Sequence, residues 1–289
     1  MSTPLTSVPQ LTGDLAARAD AAMGELAQHE RVGIAYSGGV DSATLAALAL
    51  RALGPDRVVA LLGVSPSLAR RERRIAHEVA KTIGVRVHEI ETHEGERPEY
   101  VANGVDRCFF CKDELFTRID SELLDELRLD AVAYGENADD AKRPDRPGAS
   151  AATNHAVLRP LASAGLTKSD VREIARALGV PVAEKPAAPC LASRIPHGEE
   201  VTPAKLRQVE DLEDAVFDLG FSDCRARHHG RVARLELPRN ELARAVEPEV
   251  RAALVAAGKA AGFAYVSLDL DGLQSGAFTL SIMNAKGTL

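Results

Sequence analysis

The chain has 289 residues, of which 45% are hydrophobic and 27% charged, with a formal net charge of −7 and a pI near 5.7. This composition is typical of a globular protein and excludes a fibrous or low-complexity chain. The acidic balance argues against a general nucleic-acid-binding protein, which normally carries a basic surplus or a basic patch.

The sequence predicts neither a membrane anchor nor a secretion signal. No segment approaches the run of about 18 apolar residues that spans a bilayer. The first ten residues, MSTPLTSVPQ, lack the basic and apolar regions of a signal peptide. We therefore expect a cytoplasmic protein without a membrane partner, whose four cysteines stay reduced, bind a metal or take part in catalysis.

The first half of the chain alternates predicted helices with predicted strands. Short apolar, β-branched runs predict strands at 32–36, 57–64, 85–90 and 130–135. Amphipathic or alanine-rich segments predict helices at 14–29, 43–53, 68–83 and 112–128. The alternation predicts an α/β fold with a doubly wound, mostly parallel sheet. Ligands bind such sheets beyond the carboxyl ends of the strands, where 37–42, Ser65 and 135–140 fall.

The second half predicts a different organisation. Residues 142–156 lack periodicity and predict a mobile loop of the kind that covers active sites, whereas 167–178 predict a helix capped by Thr167. A smaller C-terminal α+β domain is then predicted from helices at 202–219 and 240–261 and from strands at 224–228, 232–237 and 263–270. The predicted domain bounds are a tail at 1–13, a nucleotide-binding domain at 14–198, the small domain at 199–272 and a tail at 273–289.

Residues 36–42, YSGGVDS, join the first predicted strand to a helix. Two glycines let the backbone turn sharply, while the serine hydroxyls and the N–H groups at a helix start can bind an anion. The loop is not a Walker A motif, because no lysine follows the glycines. It therefore predicts a phosphate cradle, the alternative being a plain turn with Asp41 or Ser42 as helix N-cap.

The cysteines form a second group of candidate residues. Cys108 and Cys111 are a Cys-x-x-Cys pair, and Cys190 follows Pro189 in a proline-rich turn. These three thiolates could hold an iron–sulfur cluster with one open iron, and Cys224 as a fourth would instead close a zinc site. Cys224 stands alone in a predicted strand, which favours a buried apolar thiol.

Several motifs together carry a resemblance to a known family. The loop Ser-Gly-Gly-x-Asp-Ser resembles that of the ATP pyrophosphatase (PP-loop) superfamily. Further motifs follow in the same order as in one family: DRCFFCK (106–112), GEN (135–137), PCLASRIP (189–196), RARHHG (225–230) and ARLE (233–236). Together they resemble the ATP-dependent sacrificial sulfur transferases of the LarE type, which build the nickel-pincer nucleotide cofactor of lactate racemase. The resemblance extends from about residue 14 to 272.

The resemblance implies a reaction. Members adenylate a carboxylate of pyridinium-3,5-biscarboxylic acid mononucleotide with ATP, release pyrophosphate and form a thiocarboxylate. Some members take the sulfur from a single cysteine at the position of Cys190, and others hold a 4Fe–4S cluster on three cysteines and use sulfide carried by it. Because all three positions are cysteine here, the resemblance implies the cluster-bearing kind, with an unidentified sulfide donor and a homo-oligomeric assembly.

The resemblance also implies roles for individual residues. Those expected to bind the ATP phosphates are Ser37, Gly38, Gly39, Asp41 and Ser42, with Asp41 also near Mg²⁺. Cys190 and Asp41 are the expected catalytic residues, and Cys108, Cys111 and Cys190 the expected cluster ligands. Arg225 and Arg227 face one side of a strand and would bind the substrate phosphate, unless that face is simply solvated. Arg194 and Glu236 would contact the substrate, whereas His228 and His229 receive no catalytic role.

Three other functions remain open at this point. A cluster-dependent tRNA thiolase combines such a loop with three cysteines but needs a basic RNA-binding surface. A PP-loop ligase that forms amides or nitriles would use all four cysteines for a structural zinc. A non-enzymatic nucleotide-binding module would leave the three cysteines unexplained.

Overall fold

The computed structural model describes residues 11–142 and 147–273 and divides the chain into two compact units. The first unit comprises Met1–Ser65, Arg71–Glu94 and Asp106–Ala188, and the second comprises all other segments, chiefly the chain from Pro189 onward. The predicted domain bounds at 14–198 and 199–272 stay a prediction. The predicted tails, 1–13 and 273–289, lie almost wholly outside the described residues.

The helices and strands follow the predicted order. The α-helices are α1 (Gly13–Leu26), α2 (Val40–Leu53), α3 (Arg70–Ile83), α4 (Pro98–Val101), α5 (Arg107–Arg118), α6 (Leu124–Glu126), α7 (Ala138–Ala141), α8 (Pro147–Asn154), α9 (Pro160–Ser163), α10 (Lys168–Ala177), α11 (Pro203–Asp218), α12 (Leu242–Ala245) and α13 (Pro248–Ala260). The strands are β1 (Val32–Ala35), β2 (Val58–Val64), β3 (Arg86–Glu91), β4 (Ala131–Tyr134), β5 (Arg225–His229), β6 (Val232–Glu236) and β7 (Tyr265–Leu268). Within the described ranges, no helix is long and apolar enough to cross a membrane.

The first unit contains a four-stranded sheet in the order β3-β2-β1-β4. All pairs are parallel, and Val32 lies opposite both Val58 and Ala131. The central strands β1 and β2 are apolar runs because both faces of the sheet are covered, as parallel sheets require. The predicted α/β fold with a parallel sheet is confirmed, and the loops after β1, β2, β3 and β4 meet at one edge.

The helix that carries the Cys-x-x-Cys pair begins earlier than predicted. The sequence predicted a helix over 112–128, but α5 already begins at Arg107 and runs through a π-helical turn, Ile119–Leu123, into α6. Phe116 and Ile119 are buried and belong to a core cluster that also includes residues of β2 and β4. This packing anchors α5 against the sheet and places both Cys108 and Cys111 in its first turns.

The prediction of a mobile loop over 142–156 is wrong for most of its length. Residues Pro147–Asn154 form α8, while residues 143–146 lie outside the described part of the chain. Ala151 and Ala152 are completely buried in the core cluster that contains Phe116. A short alanine-rich helix of this kind depends on tertiary packing, which leaves no periodic stripe in the sequence.

The second unit contains a three-stranded sheet in the order β5-β6-β7. β5 and β6 are antiparallel, with Arg225 opposite Glu236, whereas β6 and β7 are parallel. The predicted smaller α+β arrangement is confirmed, but the predicted helix over 240–261 is interrupted. Glu247 leaves the helical conformation (φ −56°, ψ 139°) before Pro248, because a proline disfavours the helical conformation of the residue before it. The interruption separates α12 from α13.

Candidate active site

The loop that joins β1 to α2 has no room for a side chain at Gly38. Gly38 has a φ of 71°, in the left-handed region, and a Cβ there would lie 2.6 Å from the Cα of Ala76 on α3. The hydroxyl of Tyr36 donates to the Ala76 carbonyl, 3.0 Å away, on the same helix. The loop therefore packs tightly against α3, and the sharp turn requires glycine for both its conformation and its space.

The serines at the two ends of the loop hold it in shape. The Oγ atoms of Ser37 and Ser42 lie 3.2 Å apart, and the Ser37 N–H also donates to the Ser42 Oγ at 3.2 Å. The Ser42 hydroxyl lies 3.2 Å from the Gly39 carbonyl, which can accept its proton. Gly39 occupies the N-cap position of α2 without a side-chain cap, so the first N–H groups of this helix are open to a bound anion.

The segment after β4 lies directly against Asp41. A Cβ on Gly135 would lie 2.8 Å from the backbone nitrogen of Ser42, so only glycine permits this close approach. The Asn137 amide donates to Asp41 Oδ1 at 3.3 Å and to Asp140 Oδ2 at 2.9 Å. Asn137 thereby links the two carboxylates, and its own Oδ1 caps α7.

Lys168 adds a positive charge beside the carboxylate of Asp41. The sequence patterns placed it only in the first turn of a predicted helix and indicated no functional role for it. It is the first residue of α10, behind the predicted N-cap Thr167, and its Nζ contacts Asp41 Oδ2 across 127 positions of sequence. Its backbone N–H donates to Asp139 Oδ2 at 2.9 Å. A lysine at the positive end of a helix opposes the helix dipole, and that misfit is the signal that could have identified it.

The carboxyl-edge site of the first unit thus combines anion-binding and cation-binding groups. Loop N–H groups, two hydroxyls and the Lys168 ammonium suit phosphate oxygens, and the oxygens of Asp41 and Asp140 suit Mg²⁺. Glu136 is buried beside them, 3.5 Å from Arg159 Nη1. Burial, followed by a hydrogen bond to Glu136, raises the pKa of the Tyr134 phenol, so Tyr134 stays neutral.

Cys108 and Cys111 lie at the start of α5, three residues apart, and therefore on one face of the helix. Cys108 is exposed and Cys111 is half-buried. They belong to the first unit, whereas Cys190 belongs to the second. In the described ranges, no three His, Cys, Asp or Glu side chains are grouped so that they could hold a metal ion. The cluster assignment stays a prediction.

Cys190 immediately precedes a short 3₁₀ turn, Leu191–Arg194, and its thiol is exposed. The buried side chain of Arg194 binds the backbone at the start of this turn. Its Nη1 donates to the Pro189 carbonyl at 2.6 Å and lies 3.3 Å from the Cys190 carbonyl. The remaining nitrogens form a bidentate pair with Glu213 on α11, at 2.7 and 2.9 Å. Burial alone would lower the pKa of Arg194, but Glu213 outweighs it and the pKa is raised. The turn is therefore held by a permanent buried ion pair.

Arg225 and Arg227, the predicted phosphate ligands, are buried and already paired within the second unit. Arg225 Nη1 lies 2.6 Å from Asp223 Oδ1. Arg227 forms a bidentate pair with Glu236, at 2.9 and 2.8 Å, and its Nη1 donates to the Ser193 carbonyl at 2.9 Å. Arg227 thus connects the predicted Glu236 to the Cys190 turn, and the binding of a substrate phosphate by these arginines stays a prediction.

Cys224 is a completely buried thiol, 3.9 Å from the Glu213 carbonyl. Burial raises its pKa well above the usual value, which keeps the thiol protonated. Metal ligation requires a thiolate, so this environment disfavours a zinc site that uses all four cysteines. His228 is buried against Phe263, and burial lowers its pKa, in keeping with a packing role.

The comparison with protein families points to the first unit. The model of the NAD synthase family matches residues 25–100, which begin near the end of α1 and reach α4. This range contains the loop at 37–42 and strands β1, β2 and β3. The match supports a PP-loop domain within the first unit, as the motif predicted.

Three relatives match most of the chain. The protein slr1717 of Synechocystis is 42% identical over 247 residues, covering 86% of this chain and 91% of the relative. The pyridinium-3,5-bisthiocarboxylic acid mononucleotide synthase of Lactiplantibacillus plantarum is 29% identical over 265 residues, covering 89% and 92%. The protein MJ0830 of Methanocaldococcus jannaschii is 26% identical over 210 residues, covering 73% and 79%. The chain therefore belongs to the same family as slr1717. The resemblance to the LarE-type PP-loop proteins that the motifs carry is confirmed by the similarity to the Lactiplantibacillus synthase.

Proposed function

We propose that the protein is an ATP-dependent sulfur transferase. It adenylates a carboxylate of pyridinium-3,5-biscarboxylic acid mononucleotide, releases pyrophosphate and converts the activated carboxylate into a thiocarboxylate for nickel-pincer nucleotide synthesis. The observation that carries the proposal is the loop at 37–42, where Asp41 is held between the Asn137 amide and the Lys168 ammonium. The Lactiplantibacillus relative is named for the synthesis of pyridinium-3,5-bisthiocarboxylic acid mononucleotide, which supports a thiocarboxylate of this nucleotide as the product.

The residues around the loop suit the adenylation step. The loop N–H groups and the hydroxyls of Ser37 and Ser42 would bind the phosphates, and Lys168 would move from Asp41 to a phosphate oxygen. Asp41, aided by Asp140, would hold Mg²⁺, which neutralises charge on the departing pyrophosphate. A carboxylate oxygen attacks the α-phosphorus, the bond to pyrophosphate breaks, and the acyl group gains AMP as a good leaving group.

The second step replaces AMP by sulfur. A hydrosulfide attacks the acyl carbon, the bond to AMP breaks, and the thiocarboxylate, AMP and one proton are the products. A 4Fe–4S cluster on Cys108, Cys111 and Cys190 would supply an open iron that carries this sulfide. The donor chemistry fits, because Cys108 and Cys190 are exposed and Cys111 is half-buried, so none is sealed in a core.

The Cys190 turn would give this step its geometry. Arg194 and Glu213 fix the backbone on both sides of the thiol, and Arg227 reaches the same turn through the Ser193 carbonyl. The mononucleotide would be bound by Arg225, Arg227 and Glu236. For this, the two arginines would give up part of their contacts with Asp223 and Glu236 and bind the substrate instead. The proposal also includes a cytoplasmic location and a homo-oligomeric assembly, as in the family.

Two readouts on the same variants test the proposal. Pyrophosphate release reports adenylation, and mass spectrometry of the nucleotide reports sulfur transfer. We expect Asp41→Ala to lose both and Cys190→Ala to lose only sulfur transfer, with Cys224→Ala as the matched cysteine control that keeps both. Normal pyrophosphate release from Asp41→Ala would refute the loop assignment, and loss of both readouts in Cys190→Ala would make this cysteine architectural.

A further inference from the structure

The exposed Cys190 lies at the start of a single 3₁₀ turn, which must be held in place by contacts with other parts of the chain. Within the second unit, the Leu191 N–H donates to the Ser67 carbonyl at 2.9 Å, and the Ser67 hydroxyl lies 2.5 Å from the Tyr100 hydroxyl. Further along, the Val201 N–H donates to the Val101 carbonyl at 2.9 Å. Ser67 and the residues around α4 therefore form a scaffold for the Cys190 turn, which comprises Cys190 and the 3₁₀ turn Leu191–Arg194.

Asn103, two residues after α4, joins this scaffold to the residues that follow the turn. Its Nδ2 donates to the carbonyls of Pro196 at 2.8 Å and Glu199 at 3.0 Å and lies 3.3 Å from that of Ile195. Its own carbonyl accepts from the Gly198 N–H at 3.1 Å. These contacts join Asn103 to residues 92 to 96 positions away, directly after the turn that carries Cys190.

The environment of Asn103 leaves few other residues suitable for this position. It is completely buried, and its φ of 55° lies in the left-handed region, which asparagine tolerates better than most residues. An apolar residue would leave the Ile195 carbonyl, which is buried, and the half-buried Pro196 and Glu199 carbonyls without this donor. An aspartate would face them with a carboxylate. A glycine would keep the backbone conformation but lose the amide.

We propose that Asn103 is the positioning residue of the Cys190 turn. By binding the carbonyls of Ile195, Pro196 and Glu199, it ties the segment after the turn to the scaffold and thereby fixes the position of the Cys190 thiol. It acts on sulfur transfer through Cys190 and does not touch the substrate. The kinetic part of this inference rests on the proposed function, but the placement of the thiol does not.

Two variants and a control test the inference. Asn103→Asp keeps the shape of the side chain and removes its N–H donors. Asn103→Gly keeps the backbone conformation and removes the whole side-chain amide. The control is Asn240→Asp, the same substitution at an exposed asparagine of the same unit. Hydrogen exchange at the Gly198 and Leu191 amides reports the turn. Alkylation by iodoacetamide, measured per cysteine on chelated and reduced protein, reports the thiol.

In both Asn103 variants we expect exchange at Gly198 to rise at least tenfold and alkylation of Cys190 to change at least threefold, while Cys108 reacts as in the wild type. The kcat for sulfur transfer should fall by about tenfold to a hundredfold, as for a displaced reacting group, with pyrophosphate release unchanged. The control should change none of these.

An unchanged alkylation rate of Cys190 would overturn the inference, and so would an equal change at Cys108, which would indicate general loosening. Failure of both variants to fold would also overturn it, because Asn103 would then support the whole unit. A wild-type protein without pyrophosphate release or sulfur transfer would refute the proposed function, and the exchange and alkylation results would still decide the role of Asn103.

Discussion

The close packing of the phosphate loop on α3 predicts a large effect of Gly38→Ala. The new Cβ would lie 2.6 Å from the Cα of Ala76 and 2.7 Å from its Cβ, where neither backbone nor methyl group can rotate away. The substitution also forces alanine into a φ of 71°. Left-handed backbone costs about 1–2 kcal/mol and overpacking about 1–3 kcal/mol, so the free energy of unfolding should fall by about 2–5 kcal/mol.

Two other glycines separate these contributions. Gly84 has a φ of 82°, and an alanine Cβ at that position would meet nothing within 4 Å, so Gly84→Ala should cost only the backbone contribution of about 1–2 kcal/mol. Gly39 has an ordinary φ of −77°, and its nearest neighbour would be Ser37 Oγ at 3.4 Å. Gly39→Ala should therefore cost less than about 1 kcal/mol, the loss expected at an N-cap.

Urea unfolding followed by far-ultraviolet circular dichroism measures all three variants, because the chain has no tryptophan for fluorescence. We expect the order Gly38→Ala, Gly84→Ala, Gly39→Ala from least to most stable. If Gly38→Ala were as stable as Gly84→Ala, the loop could not be packed against α3 as described. The phosphate loop would then not be preformed.

Two further predictions concern the stability of the first unit. Burial would lower the pKa of His155, but its hydrogen bonds to Asp120 and Asp113 outweigh burial, and the pKa is raised. The protonated imidazole therefore stabilises the folded state. This stabilisation is complete below the pKa of the unfolded chain, about 6.5, and is lost as the pH rises through the pKa of the folded protein. His155→Gln should therefore flatten the fall in unfolding free energy that occurs as the pH rises above about 6.5, and an unchanged slope would contradict the assignment. Thr167→Ala removes the capping box with Asp170 and should cost about 1 kcal/mol by urea unfolding, whereas no loss would show that α10 does not depend on its cap.

The regular parts of the fold were predictable because local chemistry and tertiary structure agree there. The buried strands β1 and β2 are unbroken apolar runs, and Thr167 signals the start of α10 by its capping pattern. Helix α8 was missed because its stability comes from the burial of Ala151 and Ala152, which a short alanine-rich segment does not reveal. The break before α13 carried a signal, Pro248, that the helical pattern on either side concealed.

The candidate site was predictable only as far as its motifs extend. The loop at 37–42 is recognisable from two glycines between a strand and a helix, but its contact with Lys168 joins residues 127 positions apart. Glu213 was missed although it stands on the buried stripe of α11, seven residues after Leu206, where a charge requires a partner. The partners of Arg225 and Arg227 follow from strand register and turn contacts, which no local pattern specifies.

The most direct test of the central claim is the mass of the nucleotide product. Wild-type protein, prepared without oxygen, is incubated with pyridinium-3,5-biscarboxylic acid mononucleotide, ATP, Mg²⁺ and sulfide, and the nucleotide is analysed by mass spectrometry. We predict a mass gain equal to the replacement of one oxygen by sulfur, dependent on ATP and accompanied by AMP and pyrophosphate. Release of AMP and pyrophosphate with no sulfur in the nucleotide would contradict sulfur transfer and leave only an adenylating enzyme.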